Sequence, residues 1–345
     1  MATGVLLAGI GFLPACEVAR IDCASGDGSC NSSIAAALFQ TTRVIAIAGS
    51  GGQIWVSRDG GATYQEIIPG DPAASYSHIK IADERQIVVG GTNSTGPYII
   101  DSERLDTNWN SAFNTPDSPS LAGLDVSDDG AYGACGSNVT QAEFYYSNEP
   151  GIWSTVQPPV GTPGSCFYFN GAFYATISNT NFLHIRQSDG SFAPVLSDGS
   201  VTTIDGVAIN GASAVLIDTP NDRAFLTTNG GVTWNTFSLG ASLSCREAAY
   251  GNGRYATYCA TGPSIYVSQD GQSWAATGVN PGSVLSTISS LSFADGYFYI
   301  TGQNGSGNAA VYRTVDFFSY ELSFEGPAGT AGARDELPAL RVLVR

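Results

Sequence analysis

The chain has 345 residues, 43% of them hydrophobic, which is enough to build a sizeable core. Fourteen basic side chains against 30 acidic ones leave a net charge of −16, a surface that repels nucleic-acid phosphates and anionic lipid headgroups. No run approaches the roughly 18 apolar residues of a membrane-spanning helix. The 42 glycines, with evenly spread β-branched and aromatic residues, favour many short strands joined by tight turns.

Residues 4–13 form a short apolar run that leads into Leu13-Pro14-Ala15-Cys16. This segment resembles the lipobox of bacterial lipoproteins. The resemblance implies cleavage before Cys16 and acylation of its sulfur. The chain would then be exported, held at the cell envelope or surface or secreted, and would meet a membrane only through that lipid. A buried first strand or a frayed terminus is the alternative. Residues 1–16 are read as a signal segment and 17–32 as a linker.

Setting Cys16 aside leaves six cysteines: Cys23, Cys30, Cys135, Cys166, Cys245 and Cys259. An even number in an exported chain is consistent with disulfides. Cys245 and Cys259 flank the turn Gly251-Asn252-Gly253, so a hairpin there brings them within bridging reach. Cys23 and Cys30 bracket a Gly/Ser loop and could close it. By elimination, Cys135 pairs with Cys166; free buried thiols are the alternative.

Along the chain one pattern recurs: Ser or Thr, any residue, Asp or Asn, Gly, then an aromatic. The clear copies hold Ser57, Asp59, Gly60 and Tyr64; Thr227, Asn229, Gly230 and Trp234; and Ser268, Asp270, Gly271 and Trp274. Weaker copies anchor on Glu103, Glu149, Asp189 and Asp316, so anchors fall every 40 to 46 residues. A steady period of this size means repeated supersecondary units. Each unit reads as four strands, as in SHIKIAD, QIVVGG, PYIIDS and NWNSAF of the second. One such sheet cannot bury both faces, and seven in a ring can. The expected fold is therefore all-β, a seven-bladed β-propeller of four-stranded antiparallel blades over residues 33–325.

The motif falls between the third and fourth strands of each unit. There a Ser or Asp oxygen can accept the turn's own amides, and Gly supplies positive φ. Ser57 to Tyr64, Thr227 to Trp234 and Ser268 to Trp274 resemble the Asp-box, or BNR repeat. That repeat occurs in sialidases, xyloglucan-type glycosidases, sortilin-type receptors and photosystem II stability/assembly factor-like propellers. The resemblance implies the fold rather than one activity, because those families share a turn and not a chemistry.

Residues 326–345 stand outside the repeat as a tail. Either ALRVLV within it or residues 17–32 could seal the ring. On the face that carries the strand two-to-three loops, the chain is rich in Asn, Ser, Thr and Gly, which suit turns, sugar hydroxyls or a calcium ion. The densest polar loop is Asp218-Thr219-Pro220-Asn221-Asp222-Arg223, and Asp218, Asn221, Asp222 and Arg223 are the candidate ligand contacts. Lys80, Asp125, Asp205 and Arg246 are unusual charges for innermost strands, and pairing between neighbouring blades would account for them.

No catalytic constellation emerges. The Arg-Ile-Pro stretch of sialidases is absent, no carboxylate pair stands out, and His78 and His184 lack metal-site spacing. There is no Gly-x-Ser-x-Gly elbow. No cofactor is expected; calcium is conceivable without a specific motif. The reading is a non-enzymatic binding or assembly platform of the cell envelope with a protein or glycan partner and no nucleic acid. A divergent glycosidase or lectin-like glycan binder is the alternative, and a structural subunit of a surface assembly the third.

Overall fold

The computed structural model describes residues 44–343, except 50, 60–61, 69, 82–86, 95, 105–106, 111–112, 115–119, 138–141, 150, 157, 179–181, 202, 262–263, 278–280, 282–283, 295 and 327–338. Cys16, Cys23, Cys30 and Gly60 lie outside the described residues, as do residues 1–43.

The described chain is a seven-bladed β-propeller. Blade 1 contains β1 (Val44–Ala48), β2 (Ile54–Ser57) and β3 (Gln65–Ile67). Blade 2 contains β4 (Ser75–Ile81), β5 (Ile87–Asn93), β6 (Gly96–Arg104) and β7 (Thr107–Trp109), with β8 (Phe113–Asn114) also on β6. Blade 3 is β9 (Ser120–Val126), β10 (Tyr132–Ser137), β11 (Ala142–Glu149) and β12 (Ile152–Val156). Blade 4 is β13 (Thr162–Phe169), β14 (Ala172–Ser178), β15 (Leu183–Arg186) and β16 (Phe192–Leu196). Blade 5 is β17 (Ile204–Asn210), β18 (Ser213–Asp218), β19 (Arg223–Thr227) and β20 (Asn235–Ser238). Blade 6 is β21 (Cys245–Gly251), β22 (Arg254–Cys259), β23 (Ser264–Ser268) and β24 (Ala275–Ala276). Blade 7 is β25 (Leu285–Ala294), β26 (Tyr297–Asn304), β27 (Ala309–Thr314) and β28 (Glu321–Glu325).

The fourth strand of blade 1 comes from the far end of the chain. β29 (Ala339–Leu343) pairs antiparallel with β1, Val44 opposite Leu343 and Ala48 opposite Ala339. Among the described residues, ALRVL within the tail pairs with β1 and completes blade 1, while residues 17–32 lie outside the described residues.

The core sits between blades rather than within them. Seven apolar clusters occupy the seven interfaces. Between blades 7 and 1, for example, Ile45, Ile47 and Trp55 meet Tyr299, Val311 and Phe324. Between blades 5 and 6, Val215, Ile217 and Leu226 meet Ala248, Tyr255 and Cys245. Each fully buried aliphatic or aromatic side chain contributes about 1.5–3 kcal/mol, so every blade depends on both neighbours.

Cys245 and Cys259 are register partners and form a disulfide. The turn between their strands sets this register: Asn252 and Gly253 take φ of 47° and 74°, the twist a tight hairpin needs. Cys135 and Cys166 are buried thiols in the structure rather than a bridge.

Candidate functional site

In an antiparallel four-stranded blade, the strand two-to-three loops and the links between blades share one face. The strand three-to-four turns share the other. The innermost strands enter from the first face and line a central cavity of about 610 Å³.

Each innermost strand of blades 2 to 7 carries a β-bulge near that entrance. The register slips past Ser77, Ala122, Gly164, Asp205, Glu247 and Ser289. All six line the cavity. A bulge leaves one residue unpaired and bends the strand, so its side chain is released from the ladder. The neighbouring strands are built to admit it. Thr257 holds its hydroxyl 2.8 Å from the carbonyls of both Arg246 and Glu247. A β-carbon on Gly206 would stand 2.7 Å from the carbonyl carbon of Glu247 in the next blade, so adjacent bulges touch through a glycine. Glu247 itself takes φ of 42°, a strained value for a non-glycine residue.

The charges on these strands divide into two groups. Lys80 of blade 2 lies 2.5 Å from Asp125 of blade 3, and the second Asp125 oxygen accepts the Tyr168 amide of blade 4 at 2.8 Å. This chain ties three blades together, as neighbour pairing requires. Asp205 and Arg246, by contrast, have no ionic or hydrogen-bonded side-chain partner among the described residues. Arg246 is exposed and Asp205 half-buried. With Ser77, whose hydroxyl lies 2.8 Å from His78 Nδ1, and Ser289, they give the cavity a polar rim with unspent bonding capacity.

The polar loop of blade 5 does come together, but on itself. Asp218 is fully buried and accepts Arg223 Nε at 2.5 Å and Asn221 Nδ2 at 3.0 Å. Arg223 also reaches Asp198 at 2.9 Å and the Ser200 hydroxyl at 2.7 Å, both in the preceding link. Asp222, in a left-handed conformation, accepts the amides of Leu243 and Ser244 in the following link at 3.0 and 2.7 Å. The four candidate contacts thus sew blade 5 to its two links.

The motif residues lie in the strand three-to-four turns on the opposite face. Asp59 accepts Ser57 Oγ at 2.7 Å, the Thr63 amide at 2.9 Å and Thr63 Oγ1 at 2.6 Å. Asn229 accepts Thr227 Oγ1 at 3.0 Å and the Thr233 amide at 2.9 Å. Asp270 accepts Ser268 Oγ at 3.0 Å and the Ser273 amide at 2.9 Å. Gly230 and Gly271 have φ of 72° and 74°. Trp234 and Trp274 donate their indole N–H to the carbonyls of Gly231 and Gly271 and pack at the blade interfaces. Tyr64 packs 4.9 Å from Phe324 of blade 7.

These hydrogen bonds act on ionisation. Thr63, with Ser57, holds Asp59 at about 2. The Ser273 and Gln272 amides hold Asp270 below the usual carboxylate range, and Ser191 does the same for Asp189. Each folded-state value lies below that of the unfolded chain, so the unfolded chain binds more protons as the pH falls. The contribution is therefore present above about pH 4 and lost between about pH 4 and pH 2. Urea midpoints between pH 6 and pH 2.5 should fall steeply in the wild type and less steeply in Asp59→Ala.

No protein-family model and no curated protein sequence matches the chain. Solved structures do resemble it. A catalytically inactive variant of virginiamycin B lyase from Staphylococcus aureus with quinupristin is 14% identical, with a TM-score of 0.61, over 76% of this chain and 87% of that one. YCF48 bound to D1 peptide is 11% identical, with a TM-score of 0.56, over 72% and 82%. A chain of the mitotic checkpoint complex is 12% identical, with a TM-score of 0.60, over 79% and 84%. The likeness is one of fold. Among the described residues no group of three or more His, Cys, Asp or Glu side chains could hold a metal, and no helix is long and apolar enough to cross a membrane.

Proposed function

We propose that this protein is a non-enzymatic binding or assembly platform of the cell envelope and that it engages a protein partner over the polar rim of its channel. The observation that carries the reading is the division of charge at that rim. Lys80 and Asp125 are committed to each other, whereas Asp205 and Arg246 line an open cavity with no ion-pair or hydrogen-bonded side-chain partner among the described residues. A rim of this kind offers both an anionic and a cationic group to a segment of extended backbone or a polar side chain. A similar fold in complex with a peptide, YCF48 bound to D1 peptide, supports the choice of a protein partner. The three strong turn motifs, with their hydrogen-bonded Asp59, Asn229 and Asp270, support placing the chain with Asp-box propellers. The Leu13-Pro14-Ala15-Cys16 segment supports export and a lipid at Cys16.

A glycan partner is the second reading, favoured by the serines and acids of the rim. The test is binding of the full chain to a glycan array, with and without calcium, beside crosslinking in intact cells. The protein-platform reading expects a blank array and a crosslinked partner that is lost in Asp205→Asn with Arg246→Gln. Selective glycan binding abolished by the same pair would replace it with a lectin-like role.

A further inference from the structure

Cys135 lies on β10, the second strand of blade 3, and Cys166 on β13, the innermost strand of blade 4. They are 1% and 4% exposed and share one cluster with Phe144, Phe173 and Ala175 at the interface of the two blades. Burial first, and then the nearby Cys135 thiol, push the Cys166 thiol up. Gly123 makes this approach possible. It is the register partner of Cys135, and a β-carbon there would stand 3.0 Å from Cys166 Sγ. No side chain therefore intervenes at that position. Cys166 also lines the channel wall, two residues beyond the bulge at Gly164. Two thiols without a third ligand do not make a metal site, and among the described residues no such group exists.

We propose that Cys135 and Cys166 form a disulfide between blades 3 and 4 when the chain meets a small-molecule disulfide oxidant. The thiolate of Cys166, whose residue is among those lining the cavity, attacks one sulfur of the oxidant and forms a mixed disulfide. The first leaving thiolate takes up the proton that Cys166 released. Deprotonated Cys135 then attacks the Cys166 sulfur and expels the second thiolate, which is protonated in turn. Two electrons pass from the two cysteines to the oxidant, which ends as two thiols. Burial pushes the Cys166 thiol up, so its thiolate is scarce and the first step is slow. The Cys245–Cys259 bridge closes a hairpin that its own ladder already holds. A Cys135–Cys166 bridge would instead add a covalent link between two blades that are otherwise held by side-chain packing and the Asp125–Tyr168 hydrogen bond, at the wall of the candidate site.

The full chain is incubated with oxidised glutathione until the Cys245–Cys259 bridge is complete. It is then alkylated under denaturing conditions and digested without reductant. The expected product is a peptide linking Cys135 to Cys166, with neither alkylated. Alkylation of both, a glutathione adduct left unresolved on Cys166, or a bridge from either to Cys16, Cys23 or Cys30 would overturn the proposal. In Cys135→Ser the adduct should accumulate on Cys166. The urea midpoint of the oxidised wild type should exceed that of a Cys135→Ser sample treated identically; equal midpoints would show that the bridge does not hold the interface.

Discussion

A chain ending at Gly326 is expected to lose its single cooperative unfolding transition. Without β29, blade 1 keeps three strands, and β1 becomes an open edge from Val44 to Ala48. The five register pairs from Val44–Leu343 to Ala48–Ala339 disappear. At about 0.5–1.5 kcal/mol net for each ladder hydrogen bond, the loss is on the order of 5 kcal/mol. That is comparable with the whole stability of many domains, which is about 5–15 kcal/mol. The damage also spreads, because the apolar clusters flanking blade 1 join it to blade 7 through Ile45 and Ile47 and to blade 2 through Ala46 and Ala48. Urea denaturation followed by tryptophan fluorescence and by circular dichroism provides the check. The two probes should coincide for the wild type and separate, or show no folded baseline, for the truncated chain. An unchanged midpoint would mean that β29 does not close the ring.

Arg223→Met is expected to cost about 3–5 kcal/mol. Asp218 is 0% exposed, and Arg223 is the cation that compensates its carboxylate, at 2.5 Å. Removing the guanidinium leaves a buried carboxylate with Asn221 alone, and it also releases Asp198 and Ser200 in the preceding link. Breaking one side of a buried pair is costly because the remaining charge is uncompensated. The double variant Arg223→Met with Asp218→Asn removes that charge. It should therefore lose less than the two single losses added together, with a coupling of about 1–3 kcal/mol. Chemical denaturation of the four proteins measures the cycle. A single variant of unchanged stability that has lost partner binding would return these residues to the ligand site that the sequence suggested.

The parts of the fold written in local chemistry were legible in the sequence. The Ser/Thr-x-Asp/Asn-Gly turns repeat because each closes its own hydrogen bonds within a few residues, as at Asp59 and Thr63. The pairing of Cys245 with Cys259 followed from a two-residue hairpin turn whose geometry sets the register. The closing strand was only one of two options, because its partner β1 lies at the other end of the described chain and no local pattern names it. In the loop from Asp218 to Arg223 the sequence shows the charges, and the structure pairs Arg223 with Asp218. The loop's role turned on Asp198, Ser200 and the amides of Leu243 and Ser244, which come from neighbouring links. The ring of bulges was missed because a bulge is a property of backbone register. Its residues are Ser, Ala, Gly, Asp, Glu and Ser. A signal was available in their spacing: each lies five or six residues ahead of an Asp or Asn in the sequence.

The account rests on the partner docking at the bulged rim rather than on the turn-motif face. A photo-crosslinking amino acid placed at Arg246, exposed at the rim, or at Arg58, exposed among the motif turns, separates the two faces directly. The account predicts a discrete crosslinked partner from position 246 that is lost when Asp205→Asn is added, and none from position 58. A partner captured from position 58, or capture from 246 that ignores Asp205, would contradict it.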